Sequence, residues 1–214
     1  MKSVQAQRNP IVIGIVGGIA SGKSEVTRLL GEMDGIVISA DAIAHRVLQE
    51  PGVIDSLIEI FGERILVQAE SDNARTIDRA KLGGLVFGDT DDMRVMRKRL
   101  EAIVHPRIRH VARSELERLK KEVTTKMIIL DAPLLIEGKW LPFCDRILMI
   151  ESPDAKRQKR AMDRGWTKQQ WIDRESAQLS FEEKRKHATD IIQNDGTIAH
   201  LQQQLDVFVA ELPG

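Results

Sequence analysis

The sequence predicts an α/β fold in which helices cover a five-stranded parallel sheet in three layers. Three observations favour this class. Short apolar runs alternate with helical patterns along the chain. The first run is apolar throughout, as expected for a strand covered on both faces. A glycine-rich loop then joins that run to a helix. In sheets of this kind, ligands bind where the strands end at their carboxyl edge.

The first strand, predicted over Ile11 to Val16, leads into the sequence GGIASGKS at residues 17–24 and then into a helix that reaches about Met33. This matches G-x-x-x-x-G-K-[ST] in its required context of strand, loop and helix. Glycines let the backbone N–H groups turn towards a phosphate, and the helix N-terminus adds its positive dipole end. Lys23 would reach the β- and γ-phosphates, and the Ser24 hydroxyl would ligate Mg²⁺. The alternative, a glycine turn without a ligand, is disfavoured by so long a match.

A second strand is predicted over Ile36 to Ser39, and Asp41 follows where the next helix begins. At this edge of a parallel sheet, the Asp41 carboxylate is expected to face the same crevice as the phosphate loop. Aspartate is equally at home as a helix N-cap. Position alone leaves both interpretations open.

The segment from about Pro51 to Lys121 shows helical patterns and no strand signal. Its length, about seventy residues, exceeds what a single crossover helix needs and predicts an inserted subdomain. Because proline cannot sit comfortably inside a helix, His105-Pro106 is expected to separate two helices. The expected helices cover Ile54 to Ile60, Ile77 to Leu85, Asp91 to Val104 and Pro106 to Lys120, with a polar loop at 68–76.

The third strand, Met127 to Leu130, ends at Asp131. An acidic residue that ends an apolar strand is typical of the Walker B arrangement, in which a carboxylate supports the Mg²⁺ shell. A turn-forming aspartate before Pro133 is the alternative. The phosphate loop upstream favours the metal-related role. A fourth strand is predicted over Arg146 to Ile150.

A cationic helix follows the fourth strand, with Arg157, Arg160 and Arg164 three and four residues apart and Gly165 at its end. Such spacing puts the three guanidinium groups on one helical face. A solvated charged face is the ordinary explanation of such a row. In this place, a short lid that closes on phosphates explains it better, because arginines stabilise the charge that develops in phosphoryl transfer.

The remaining chain predicts a charged helix at 181–187, a last strand over Asp190 to Ile192, a turn through Gly196 and a final helix over Thr197 to Leu212. In the final helix the side chains expected to face inward are those of Ile198, Leu201, Leu205, Phe208 and Val209.

The composition argues against several classes of protein. The chain has 32 basic and 32 acidic residues and no tyrosine, which argues against a broad nucleic-acid surface. With Cys144 as the single cysteine, no intramolecular disulfide can form. No apolar run is long enough for a membrane span and no secretory signal is seen, so a cytoplasmic protein is expected.

Among proteins with this loop, a GTPase would need a motif such as N-K-x-D, which is absent. An ABC-type ATPase would need a signature loop and a longer chain, and a nucleic-acid ATPase a basic groove with aromatic residues. A small-molecule kinase needs a triphosphate cradle, an acid that positions an acceptor hydroxyl and a cationic lid. The sequence offers all three in the order expected for the nucleoside monophosphate kinase architecture.

Several segments together resemble dephospho-coenzyme A kinases. They are GGIASGKS, SADAIAHRVL after the second strand, His105-Pro106, DAPLLIE at 131–137, the lid segment QKRAMDR and IIQNDG at 191–196. The resemblance runs from about Ile11 to the last helix. It implies that ATP phosphorylates the ribose 3′-hydroxyl of dephospho-CoA to give CoA and ADP, the last step of CoA synthesis.

The resemblance also implies roles for individual residues. Asp41 would be the catalytic base, assisted by Lys23 and by the lid residue Arg160. The residues expected to bind ATP are Gly18, Ala20, Ser21, Gly22, Lys23, Ser24, Glu25, Arg160, Arg164, Asn194 and Gly196. Substrate contacts are expected from Asp41, His105, Pro133 and Leu134, although His105 fits a helix-capping role equally well. Ser24, and Asp131 from the second coordination shell, would hold the Mg²⁺ that accompanies ATP.

The implied organisation is a P-loop core at 1–41, 122–153 and 181–214, a CoA-binding helical subdomain at 42–121 and a lid at 154–180. The expected partners are ATP and dephospho-CoA, without nucleic acid or membrane, for a monomer or small homo-oligomer. A kinase for another acceptor, such as a nucleotide or shikimate, is the alternative enzyme. A nucleotide-gated regulatory module is the alternative that is not an enzyme.

Two positions depart from the family's usual pattern. Glu25 stands where the family usually has threonine, and its carboxylate would repel the α-phosphate. Glu25 is therefore expected to turn to solvent and to leave that phosphate to backbone N–H groups. His45 stands where arginine is frequent, with Arg46 next to it, so no role is carried over to His45.

Overall fold

The computed structural model describes residues 9–67, 75–88, 90–122 and 124–213, and the chain divides into two compact units. The first unit comprises residues 1–39 and 115–214, and the second comprises residues 40–114. The expected polar loop at 68–76 lies mostly outside the described residues. The expected division into a P-loop core, a substrate subdomain and a lid is a functional one and stays a prediction.

The first unit is built on a parallel sheet in the order β2-β3-β1-β4-β5. Its strands are β1 (Ile11–Gly17), β2 (Ile36–Ser39), β3 (Met127–Asp131), β4 (Arg146–Glu151) and β5 (Asp190–Gln193). All four ladders are parallel, which confirms the predicted α/β class. Since β1 is central, the loop that follows it emerges from the middle of the sheet. Ser39 lies opposite Asp131 in the register, so β2 and β3 end side by side.

Helices α1 (Lys23–Glu32) and α9 (Ile198–Ala210) contribute to one continuous apolar cluster with the sheet. Its buried members include Ile13, Ile15, Val26, Leu30, Met127, Ile129, Leu148, Ile150, Ile192, Leu201, Leu205 and Phe208. Burying each such side chain contributes about 1.5–3 kcal/mol. This cluster fixes β1 and α1, the two elements that flank the phosphate loop.

Three more helices of the first unit follow β4: α6 (Asp154–Asp163), α7 (Lys168–Ser176) and α8 (Phe181–His187). Helix α7 had no counterpart among the sequence predictions. A signal for it was present, because Thr167 and Gln170 form a capping box at its start. Ile198 was wrongly expected to face inward: it is 63% exposed, because it occupies the first position of α9 beyond the sheet-covering turns.

The second unit contains α2 (Ala40–Val47), α3 (Pro51–Phe61), a 3₁₀ turn (Glu63–Ile65), α4 (Arg79–Val86) and the first part of α5 (Asp91–Glu122). Helix α4 starts later than the predicted Ile77, because the Asp78 side chain caps it by accepting from the N–H groups of Ala80 and Lys81. Ile77 instead forms an antiparallel bridge with Leu66, so the segment is not wholly helical.

The predicted break at His105-Pro106 was wrong. Helix α5 runs unbroken over 32 residues and contains Pro106. Proline removes one N–H donor and crowds the preceding turn, but several turns on either side retain their bonds. The buried side chains of Val104, Ile108 and Ala112 continue one apolar stripe across the proline. Packing of this stripe outweighs the local cost. In the described part of the chain, no helix is long and apolar enough to cross a membrane.

Candidate active site

The loop between β1 and α1 has the backbone that its glycines predict. Gly22 precedes α1 with φ 103° and ψ 19°, a left-handed conformation that L side chains rarely adopt. A Cβ at Gly22 would also lie 2.0 Å from Asn194 Nδ2. Only glycine fits this place. The N–H groups in the first turn of a helix point out of its N-terminus, where they are natural ligands of an anion, and Lys23 and Ser24 begin α1.

Arg160 and Asn194 donate hydrogen bonds to backbone carbonyl groups of the loop. The Arg160 guanidinium donates to Ala20 O at 3.3 Å, Ser21 O at 3.2 Å, Ser152 Oγ at 3.1 Å and Asn194 O at 3.1 Å. The buried Asn194 amide donates to Ser21 O at 2.8 Å. With its carbonyls held from this side, the loop has a fixed peptide orientation. The sequence predicted ATP contacts for Arg160 and Asn194; the structure places both against the loop backbone.

The three arginines of α6, predicted to act as one row, have different environments in the structure. Arg157 is buried between α6 and α7, Arg160 turns to the loop, and Arg164 is exposed at the end of α6. Burial alone would lower the pKa of Arg157, but hydrogen bonds to Asp154 and Glu175 raise it above the usual value. Helical spacing places the three arginines on one face of α6. Their environments differ because that face packs against different parts of the protein along its length.

Lys184 is a buried cation beside the loop that sequence reasoning missed. Its ammonium donates to Gln178 Oε1 at 2.7 Å and to Gly17 O at 3.4 Å. Desolvation lowers the pKa of Lys184, and the nearby Lys23 adds to the lowering, while the Glu137 carboxylate opposes it. The sequence around it, FEEKRKH, reads as an exposed charged helix, and nothing local distinguishes Lys184 from its neighbours.

Lys23 lies at the start of α1, and its ammonium donates to Pro133 O at 3.4 Å. Pro133 and its exposed neighbour Leu134 follow Asp131, the last residue of β3. The structure therefore brings the loop lysine to the segment after β3. Asp131, half-buried, ends the strand next to the loop-bearing β1. Ser24 is exposed in the first turn of α1.

Glu25 is paired within its own helix. Its carboxylate accepts from Arg28 Nη2 at 2.6 Å and from Arg28 Nε at 3.2 Å. The hydrogen bonds from Arg28 lower the pKa of Glu25, although the carboxyl is largely solvated. This pairing gives the carboxylate a partner other than a phosphate. Gly196 lies in the turn before α9, where an added Cβ would be 3.2 Å from His200 Cδ2.

Asp41 and His105 both belong to the second unit. Asp41 is exposed in the first turn of α2, two residues after the end of β2. His105 is exposed within α5 and therefore does not cap a helix end.

A parallel sheet whose central strand ends in this glycine loop, followed by a lysine and a helix, defines a P-loop nucleotide-binding protein. Comparison with known proteins narrows the class. The family model CoaE, dephospho-CoA kinase, matches residues 11–200. The chain belongs to the dephospho-CoA kinase family.

Curated relatives agree in sequence. The dephospho-CoA kinase of Carboxydothermus hydrogenoformans is 38% identical over 200 residues, covering 91% of this chain and 90% of the relative. That of Rhodopirellula baltica is 33% identical over 210 residues, covering 98% and 94%.

Solved structures agree in fold. A crystal structure from Thermus thermophilus, at 35% identity, gives a TM-score of 0.76 and covers 97% of this chain and 100% of its own. The dephospho-CoA kinase from Campylobacter jejuni, at 27% identity, gives 0.65 and covers 95% and 97%.

Proposed function

We propose that this protein transfers the γ-phosphoryl group of ATP to the ribose 3′-hydroxyl of dephospho-CoA and releases CoA and ADP. The observation that carries the proposal is the phosphate loop at the end of the central strand in a chain that matches the family model over residues 11–200. The proposal includes a cytoplasmic location and action as a monomer or small homo-oligomer.

The phosphate loop supplies most of the proposed ATP site. The backbone N–H groups from Ala20 to Ser24 would surround the β-phosphate, and the Lys23 ammonium would reach the β- and γ-phosphates. Glu25 is engaged by Arg28, so the α-phosphate would rely on backbone N–H groups. The guanidinium of Arg160 is bonded to the loop carbonyls, and its positive charge would stabilise the negative charge on the transferred phosphoryl group. Arg164, Asn194 and Gly196 complete the proposed ATP contacts.

The donor set fits Mg²⁺. The Ser24 hydroxyl and, through water, the Asp131 carboxylate are hard oxygen ligands of the kind this ion takes. Mg²⁺ at phosphates usually takes only one or two protein ligands and keeps several waters. When bound, the ion would neutralise charge on the β- and γ-phosphate oxygens.

Asp41 is the proposed base. Its carboxylate would orient the 3′-hydroxyl and accept its proton as the oxygen bonds to phosphorus and ADP leaves. His105, Pro133 and Leu134 are the proposed contacts to the acceptor, and residues 42–121 and 154–180 the proposed substrate subdomain and lid. Proton transfer to a positioned base contributes about 10²–10⁴-fold to rate. Most of the remaining acceleration would come from positioning and electrostatics.

The test is ADP release coupled to a detector enzyme, with dephospho-CoA, adenosine, nucleoside monophosphates and shikimate as acceptors. The proposal expects turnover with dephospho-CoA above all others. Turnover with another acceptor would identify a different kinase, and turnover with none would identify a regulatory module. In the same assay Asp41→Asn should retain ATP binding and lose about 10²–10⁴-fold in kcat. Equal kcat in the variant and the wild type would exclude Asp41 as the base.

A further inference from the structure

Arg157 is the most deeply buried charged side chain of α6, at 2% exposure. Its Nη2 donates to Asp154 Oδ1 at 2.7 Å within the same helix. Its Nη1 donates to Glu175 Oε1 at 2.6 Å, which links α6 to α7. The rings of Trp171 and Phe181 lie 5.7 and 5.8 Å from the guanidinium carbon and keep water from it.

This ion pair also binds both polar backbone groups of one residue in the phosphate loop. The Ile19 N–H donates to Glu175 Oε2 at 3.2 Å, and the Ile19 carbonyl accepts from Arg157 Nη1 at 3.3 Å. The two side chains therefore set the orientation of the loop on either side of Ile19. A pair that served only to join α6 to α7 would need neither contact.

Gly18 shows how closely the pair approaches the loop. A Cβ at Gly18 would lie 2.3 Å from Arg157 Nη1 and 3.2 Å from Glu175 Oε1. Real Cβ atoms do not come within 3.0 Å of another heavy atom, so the guanidinium occupies the space that any side chain at position 18 would need. Position 18 must therefore be glycine to leave room for Arg157. A phosphate that approaches the loop backbone would be a second reason for glycine here.

The contacts of Arg157 also limit what it can do. Three acceptors, Asp154, Glu175 and the Ile19 carbonyl, take its Nη1 and Nη2 groups, and the aromatic rings cover its faces. Arg157 and Glu175 bond each other, and each bonds Ile19, so removal of one side chain also removes a bond that holds the other in place. The position of Ile19 should therefore depend on the two side chains as a unit.

We propose that Arg157 and Glu175 are positioning residues for the phosphate loop. They fix the Ile19 peptide, preorganise the following N–H groups from Ala20 to Ser24 for the triphosphate, and make ATP affinity depend on the packing of α6 against α7. The inference deepens the proposed function, and it requires of that function only that the loop binds ATP.

The experiment measures binding of a non-hydrolysable ATP analogue by calorimetry, in the presence of Mg²⁺, for Arg157→Gln, Glu175→Gln and the double variant. Each single variant should raise the Kd for the analogue about tenfold. In the double variant the rise in Kd should be smaller than the product of the two single rises, as expected for coupled residues. Lys159→Gln is the matched control, because Lys159 lies on the same helix in an exposed ion pair with Asp163. It should bind as wild type does.

Steady-state kinetics adds a readout that a structural role would not move. The KM for ATP should rise with the dissociation constant, while the KM for dephospho-CoA stays within about twofold. Urea unfolding at 25 °C shows that each variant is folded. If Glu175→Gln does not fold, Arg157→Lys replaces it. The shorter lysine has one nitrogen where Arg157 uses both Nη1 and Nη2, so the same loss in ATP affinity is expected.

The inference would be overturned by variants that unfold at a lower urea concentration but bind the analogue with a Kd within about twofold of wild type. Arg157 and Glu175 would then only link α6 to α7. Additive losses in the double variant would also overturn it. If wild type binds the analogue and the variants lose affinity as expected, but dephospho-CoA is not phosphorylated, the inference holds and the proposed function fails.

Discussion

Replacing Arg160 by lysine separates charge from geometry at the phosphate loop. The guanidinium reaches four oxygen atoms at 3.1–3.3 Å, on Ala20, Ser21, Ser152 and Asn194. Lysine keeps the positive charge but offers one ammonium group in place of the planar fork. The lysine side chain ends one bond short of the guanidinium nitrogens. Its single nitrogen therefore cannot replace both the bonds of Nη1 to Ala20, Ser21 and Ser152 and the bond of Nη2 to Asn194.

The structure gives the size of the effect. Two of the four bonds go to loop carbonyls, and bonds to a charged group contribute about 1.5–3 kcal/mol each when they are well formed. These two are long, share one nitrogen, and Ser21 O keeps its bond from Asn194. A combined loss of about 2 kcal/mol in ATP binding is therefore expected, which corresponds to an increase of about 30-fold in Kd.

Calorimetric titration with a non-hydrolysable ATP analogue measures this change, and urea unfolding measures the accompanying loss of stability. Lys159→Gln serves as the control on the neighbouring, exposed position of α6. If Arg160→Lys bound the analogue within about twofold of wild type, charge alone would be enough. The bonds from the guanidinium to the loop carbonyls would then not be what prepares the loop for ATP.

Three further predictions concern single residues. Lys23→Ala should weaken ATP binding and lower kcat at least about 10²-fold, because it removes the cation at the β- and γ-phosphates; near-normal titration and rate would contradict the cradle. Burial raises the pKa of the Cys144 thiol to about 12, so at pH 8 only about one thiol in 10⁴ is ionised, and native protein should react with a disulfide reagent far more slowly than protein in urea. Pro106→Ala should stabilise the fold by about 2 kcal/mol in urea unfolding, since it restores an N–H donor within α5.

Features that depend on contiguous sequence were predictable. The loop, its flanking strand and helix, and the positions of all five strands follow from glycine placement and from apolar runs that must be buried on both faces. The family's segments added the reaction and the candidate base. In each case, the information lies within a few neighbouring residues, where backbone preference and hydrophobic pattern act directly.

Local preference failed where packing between distant segments decided the outcome. Pro106 argued for two helices, but the apolar stripe of α5 runs through it. Three arginines at helical spacing read as one row, but one is buried, one turns to the loop and one is exposed. The exposed Ile198 shows that a helical pattern does not say where the helix leaves the surface that it covers.

The sequence by itself determined that this chain carries a phosphate-binding loop on an α/β sheet, because that loop is a local structure with its own residue requirements. Only the tertiary structure decided what holds the loop in place. Glu175 meets Ile19 across 156 residues of chain, Asn194 meets Ser21 across 173, and Lys184 meets Gly17 across 167. Bonds between such distant partners depend on how the sheet and its helices pack, and no spacing within a single segment encodes them.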